Sequence, residues 1–480
     1  MPFVGCGNSL HYEEAMPMEP PSEFEQLEIF EDPVRTASSS IEGSLAPGDA
    51  LLPAAIVAPG SAEHHAIAAV SAPSSRIPHM VRALRHRNFR NFWIGNFLSN
   101  IGTWMQNIAQ GWLVLVLTNS PFWLGVVSFA AAVPMLIFAL LGGVIADQVD
   151  KRRLIMVTQS AMMVFAFILA GLSYFKVITV QQIIILAFLN GVAQALNMPS
   201  YQALVPQLIP PEDLTNAVAI NSAQFNLSRV LGPTLGGFAM AWFGVTGNFF
   251  LNGISFVAVL FALTRIDFPS RIAHPEGGLW RRLQQGFHYV FFDPTHAILR
   301  TLVFVICIAS LFGIPYMSFI PYFARDILHS GERGLGYLMA CSGLGAFLGA
   351  ATIAYTGKVR HRGKFVATSG AGFFCAIIIF SLSHKFWLSA LTQVAAGYLM
   401  IMMVATINTL LQELATDQMR GRVMSIYGVA FLGLAPIGSL ASGALANLIK
   451  TSTAIAGMAA IALIATTATY LARPELRELD

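Results

Sequence analysis

From Arg90 onward the chain alternates long apolar runs with short polar links. The runs fall at 91–117, 122–146, 153–175, 179–198, 217–243, 246–264, 300–322, 335–355, 365–383, 387–412, 423–447 and 453–472. Each is long enough to cross a ~30 Å hydrocarbon layer, which takes ~20 helical residues. They are continuous and do not alternate with period two, which argues against a β-barrel. The pattern predicts an all-α membrane protein of twelve transmembrane helices in two pseudo-symmetric six-helix bundles, 80–264 and 300–480, joined by a link over 265–299. Bulk composition agrees: 55% of residues are apolar and only 11% charged, with a mean hydropathy of +0.63, whereas a soluble domain is nearer a quarter charged.

Charge changes the picture in two ways. Residues 1–79 are rich in Pro, Ser, Ala and Glu and have too few bulky apolar residues in any period to build a core, so a disordered acidic tail is expected there. The tail carries most of the excess acid, leaving the helical body basic. The body's bases sit in short clusters between runs and form no continuous patch for nucleic acid. With the N-terminus placed in the cytoplasm, 20 Lys and Arg of the body fall on that side and 5 on the other. That asymmetry puts both termini in the cytoplasm of a cell inner membrane. In the link, "LWRRLQQGFHYVFFDP" (279–294) is amphipathic with paired bases, as suits a helix lying on the cytoplasmic leaflet.

The halves echo each other. The fourth run leads into "NMPSYQAL" and the tenth into "NTLLQEL", while the fifth holds "LGPTLGG" and the eleventh "LAPIGSL", each with a proline (Pro233, Pro436) beside small residues. Duplicated halves imply a pathway between them, where a polar molecule can sit at mid-membrane. Polar residues inside the runs mark its course. Asn96, Asn100, Thr103, Asn107 and Gln110 recur at intervals of four and three and form one stripe. Asn190, Gln194 and Asn197 repeat the pattern, and Asn408 and Gln412 offer two more amides. Facing lipid they would lack partners, so they face inward, either lining a cavity or bonding between helices; five such groups on the first run exceed what one helix contact needs. Arg229, with Asn226 and Ser222 on its face, is the one base well inside a run. Intramembrane charges are functional candidates. Three roles stand open for it: binding an anionic substrate group, a proton relay, or a fixed structural pair. No carboxylate lies deep in a run.

"GGVIADQVDKRR" (142–153) separates the second and third runs. Its Gly143, Asp147, Lys151, Arg152 and Arg153 resemble the signature of the major facilitator superfamily, with Asp150 where that pattern often has Gly and Gln148 where it often has a base. "FRNFWIGNFLSNIGTWMQNIAQGWLVLVLTNSPFWLG", "PQLIPPEDLTNAVAINSAQFNLSRVLGPTLGG" and "ATDQMRGRVMSIYG" are similar to the branch containing the enterobactin exporter, macrolide efflux proteins and transmembrane secretion effectors. The resemblance implies the major facilitator fold and a latch in which Asp147 faces the start of the eleventh helix, near Gly421 and Arg422, in one rocking state only; a carboxylate facing a helix end is worth ~0.3–1 kcal/mol exposed and ~2 partly buried. "SRVLGPTLGG" resembles the motif of drug and proton antiporters, with Gly232, Pro233, Gly236 and Gly237 matching and Ser228 replacing an earlier Gly. It implies proton-driven efflux of a small amphipathic molecule, such as a siderophore, macrolide or drug-like compound, by alternating access. An importer of lysophospholipid or another solute on the same fold, and a transporter-like sensor signalling through the acidic tail, remain alternatives.

Other chemistries lose their support. Gly357-Lys358 and Gly363-Lys364 lack the earlier Gly and following Ser/Thr of a phosphate loop, so no ATP site is expected. Neither H-E-x-x-H nor G-x-S-x-G occurs. Cys307, Cys341 and Cys375 lie in apolar runs without metal spacing, so neither cofactor nor metal is expected, and the protein reads as no enzyme.

Overall fold

Hydrocarbon supplies no hydrogen-bond partner for a peptide group, so each apolar run satisfies its backbone by coiling into a helix. The computed structural model describes residues 79–266, 287–292, 296–356 and 361–479, with the backbone alone over 79–81 and 139–148. The expected tail and most of the link lie outside the described residues; of the amphipathic link helix only 287–292 is described, and 287–291 is helical.

The helices are α1 (Arg87–Thr118), α2 (Pro121–Gln148), α3 (Lys151–Tyr174), α4 (Val180–Leu204), α5 (Leu214–Thr264), α6 (Ala297–Ile308), α7 (Tyr316–Tyr322), α8 (Gly331–Thr356), α9 (Arg362–Leu382), α10 (Phe386–Leu414), α11 (Asp417–Gly428), α12 (Leu434–Leu448) and α13 (Thr451–Ala472). Local chemistry sets their ends. Asp150 caps α3 by accepting from the Arg153 N–H at 3.0 Å, which accounts for a carboxylate where the motif often has glycine. Thr179 and Gln182 form a reciprocal capping box at the start of α4.

The elements depart from the expected runs in three ways. The fourth continues through Pro199 to Leu204, beyond the expected end at 198. The fifth and sixth are joined in α5, which turns at Gly244 with φ 67° and ψ −178°, a conformation open to glycine because it has no Cβ. The seventh is broken into α6 and α7 by wide π turns at Ala309–Gly313 and Phe323–Ile327, and the eleventh into α11 and α12 by another at Val429–Gly433. Among the described residues, ten helices are long and apolar enough to cross a membrane. One of them, Pro211–Thr264, spans 54 residues and holds two of the twelve expected runs. The first expected run, α1, has 32 residues but is outside those ten, its polar stripe lowering its apolarity.

We call the end where α1 begins proximal and the opposite end distal. Pro436, Ser439 and Gly443 recur at intervals of three and four and share one face of α12, while Ser425 and Val429 lie one turn apart where α11 enters the wide turn. Distally the α12 face abuts α2. A Cβ on Gly125 would overlap the Ser439 carbonyl, and one on Gly443 would lie 3.0 Å from the Phe122 carbonyl oxygen. Midway, Gly433 meets Leu136. Proximally the stretch before the wide turn is bare, with Ser425 exposed and Val429 59% exposed. α5 repeats this against α8: Gly237 meets the Gly336 backbone and Val230 packs on Gly343, whereas Val218 and Phe225 nearer the proximal end are exposed. Ser128 donates to Ser318 at 3.2 Å and Arg325 to the Asn119 Oδ1 at 3.1 Å across the same seam. The two halves are sealed distally and stand apart proximally.

Between helices in lipid, association comes from close packing and not from expelling water, so backbone approach at glycine matters more than side-chain volume. Gly237→Val forces the Gly336 backbone away, an overpacking cost of about 1–3 kcal/mol. It is expected to open the distal seam: a cysteine at Ser128, in a background without native cysteines, should react severalfold faster with an impermeant thiol reagent applied from the distal side. An unchanged rate in correctly folded protein would show that the glycine contact does not hold the seal.

Candidate functional site

The stripe on α1 is divided by the structure. Asn96 and Gln110 are buried, Asn100 and Thr103 half-buried, and Asn107 exposed. Thr103 turns back to the Ser99 carbonyl at 2.9 Å, while Asn100 and Asn107 make no hydrogen bond among the described residues. Gly111, one turn beyond Asn107, meets Pro321 of α7 in the other half. The stripe therefore points toward the opposite half. The flank of α1 next to it carries the interhelical hydrogen bonds. Gln106 accepts from Asn252 at 2.8 Å and Ser99 donates to Gln159 at 3.4 Å, while within α5 Asn248 donates to the Gly236 carbonyl at 2.8 Å across the turn at Gly244. Asn197 accepts from Thr158 at 3.1 Å, so it belongs to an α3–α4 contact, and Gln194 is half-buried.

Arg229 sits about 22 Å along α5 from Leu214, at 1.5 Å per residue. Val218, Ser222, Asn226 and Arg229 share one face, and between Leu214 and Arg229 that face is exposed toward the proximal gap. The half-buried Arg229 guanidinium reaches across the gap to Met317 of α7, with Nη2 at 3.9 Å from Sδ. Tyr316 and Tyr427 are the ionisable groups acting on it, and no described carboxylate pairs with it. Tyr316 is held rigidly, its ring between Phe373 and Phe380 at 6.1 Å from each and its hydroxyl donating to the Gln393 Oε1 at 3.1 Å. Tyr427 is stacked on Phe431, 5.7 Å away and 5° from parallel, and contacts Asn408. Asn408 also accepts from Gln412 at 2.6 Å. Arg229, Asn226, Asn408 and Gln412 thus border one space between the halves. Tyr316, Met317 and Tyr427 were not legible as site residues in the sequence.

The antiporter-like segment packs α5. A Cβ on Gly232 would overlap Trp104 and lie 2.9 Å from the Ile101 carbonyl oxygen, and one on Gly236 would lie 3.0 Å from the Met105 Cα. Gly232 and Gly236 therefore hold α5 on α1, Gly237 holds it on α8, and Pro233 is buried between them. Of the helix 2–3 motif, Gly143 and Asp147 are described as backbone alone, so the expected latch contact of the Asp147 carboxylate lies outside the described residues. Lys151 is buried at the start of α3 and Arg153 is exposed. Arg152 donates to the Thr264 carbonyl at 3.2 Å within its own half. At the start of α11, no described atom lies within 4 Å of a Cβ on Gly421.

Helical halves sealed at one end around an intramembrane charge define a transporter of the major facilitator class. Residues 80–480 match the family described as transmembrane secretion effector, and the chain belongs to that family. It is 26% identical over 352 residues to the staphyloferrin A transporter of Staphylococcus aureus, covering 73% of this chain and 87% of that protein. It is 26% identical over 392 residues to the multidrug efflux pump Tap of Mycolicibacterium fortuitum (79% and 94%) and 24% identical over 345 residues to the enterobactin exporter EntS of Escherichia coli (71% and 81%). Among solved structures it resembles an inward-facing, unoccupied bacterial homologue of the lysosomal transporter Spinster, with a TM-score of 0.62 at 14% identity over 82% of this chain and 98% of that one. It also resembles the nucleoside transporter NupG, with a TM-score of 0.61 at 14% identity over 82% and 100%. The protein is a multi-pass membrane transporter and not an enzyme.

The geometry separates wet from dry positions on one helix. Cysteines placed at Asn100 and Asn107 should react with a small hydrophilic thiol reagent, and one at Ser99, which bonds Gln159 one residue away, should react at least about tenfold more slowly because burial denies access to the thiolate. Equal rates would mean that the stripe does not face water.

Proposed function

We propose that the protein is a secondary active exporter of the inner membrane that carries a small amphipathic molecule outward by alternating access, driven by the proton gradient. The single observation behind this reading is the change from covered to bare along α12 and α11 and its counterpart on α5: one seam closed distally and open proximally, as one half of a rocking cycle requires. The excess of bases on the proximal side supports a cytoplasmic placement of the open end and of both termini. A molecule to be exported enters there. Relatives named as a multidrug efflux pump and an enterobactin exporter support the direction and a siderophore or drug-like cargo, and macrolides are carried over from the family resemblance. Proton drive is carried over from similar exporters. The two bundles, 80–264 and 300–480, are the rocking bodies, and Asp147 with its neighbouring bases is the latch that releases on each cycle.

Cells expressing the protein should retain severalfold more of an amphipathic fluorescent dye once a protonophore is added; equal retention would contradict proton drive, and faster accumulation in expressing cells would favour import. Asp147→Asn should slow turnover about fivefold to thirtyfold, on the scale of a ~1–2 kcal/mol contact, with dye affinity preserved. Weakened binding with normal turnover would remove the latch role. Deleting residues 1–79 should leave efflux intact, whereas a sensor would lose its output.

A further inference from the structure

A guanidinium stays protonated at any physiological pH and carries five donors in a rigid fork. In the middle of a membrane domain such a group needs an acceptor, because an ion withdrawn from water without a partner is strongly destabilised. Among the described residues Arg229 donates to the Met317 thioether at 3.9 Å, a weak acceptor at long range, and no described carboxylate or carbonyl takes its protons. A structural arginine would be tied down on both edges of its fork. A proton relay needs a group that gives up its proton near neutral pH, which a guanidinium does not. The remaining role is to receive an anion from outside the fold.

The surroundings say what carries that anion. Arg229 lies at the closed end of the proximal gap, about 12 Å short of Gly237, where α5 seals against α8. On the approach to it, Phe225 is 44% exposed and edge-on to Trp104 at 6.5 Å. Across the gap the partly exposed Phe431 stacks on the buried Tyr427, and the buried Tyr316 lies behind Met317. The partly exposed rings of Phe225, Trp104 and Phe431 near a flat cation suit a planar ring bearing an oxyanion: the ring packs offset or edge-on against them and the fork takes the oxygens in pairs. Asn226, Asn408 and Gln412 border the same space as neutral donors and acceptors for further polar groups.

We propose that Arg229 docks the charged group of the cargo, and that the class of molecule carried is an amphipathic organic anion with a carboxylate set on a planar aromatic system. This rests on the reading of the gap as the transport path. It is independent of the direction of transport and of proton drive.

Three matched probes test it at equilibrium on the full chain in nanodiscs, with protein-free nanodiscs correcting for partition into lipid: naphthoate, its neutral methyl ester, and the naphthylmethylammonium cation. Wild-type protein should bind naphthoate roughly tenfold to a hundredfold tighter than the ester, the range for a charge-assisted hydrogen-bonded pair, and the cation most weakly. Arg229→Gln should bring naphthoate down to the ester's level and leave the ester unchanged; Arg229→Lys, which keeps the charge and loses the fork, should recover part of the difference. Wild-type protein that binds the ester as tightly as the anion overturns the proposal without recourse to any variant. So does Arg229→Gln if it weakens both probes equally in protein that remains monodisperse, since that marks a structural role. Selective anion binding in a protein that fails the dye-efflux assay would retain this site and discard only the export reading.

Discussion

Every feature of this molecule follows from the refusal of hydrocarbon to accept a hydrogen bond. The backbone answers by coiling, and polar side chains are driven to the only surfaces that do not face lipid: contacts between helices and the space between the halves. The two uses are separated by as little as one residue on α1. Gln106 and Ser99 turn to Asn252 and Gln159 and fasten the bundle, while the side chains of Asn107 and Asn100 bond no described residue and face the gap. Glycine does the complementary work at the seam. Gly125, Gly237, Gly336 and Gly443 let backbones touch where side chains would hold the halves apart, so the distal seal is made of main chain and is sensitive to a single added methyl.

The same logic explains the irregular helices. Two of the three wide turns, Ala309–Gly313 and Phe323–Ile327, bracket the segment that carries Tyr316 and Met317, and the third, Val429–Gly433, directly follows Tyr427. Each has a proline close by: Pro315 and Pro436 just after, Pro321 just before. A proline removes one backbone donor and clashes with the turn before it, and a wide turn relieves the clash. Wide turns inside helices are frequent at functional sites. Here they occur in the two passes of one half that face Arg229 of the other. The deformable parts of the bundle and the charged group are brought to the same depth.

The helix positions and fold class were legible because periodic apolar runs of membrane length leave few alternatives, and the resemblance to transmembrane secretion effectors was carried by long stretches of sequence. The joining of the fifth and sixth runs was not, since Gly244 is one glycine among many and only its positive φ sets it apart. Arg229 stood out as a charge in an apolar run. Its neighbours did not. Tyr316, Met317 and Tyr427 look like ordinary core residues, and their meeting with Arg229 depends on how two halves distant in sequence pack. Asn197 was grouped with the pathway because spacing shows a shared face but not which neighbour that face meets; the Thr158 hydroxyl holds it. Asn252, an amide inside the sixth run, carried the signal for the α1–α5 network and could have been found by the rule applied to the first run.

Alternating access is the central claim, and interspin distances at both ends of one molecule test it most directly. Spin labels at Val218 and Gln412 report the proximal opening, and labels at Asn119 and His329 the distal seam, in full-length protein reconstituted in lipid nanodiscs. As pH or cargo shifts the population, the proximal distance should shorten while the distal one lengthens, with the two changes tracking each other in fractional population. Distances that stay fixed at both ends, or that lengthen together, would contradict a rocking transporter.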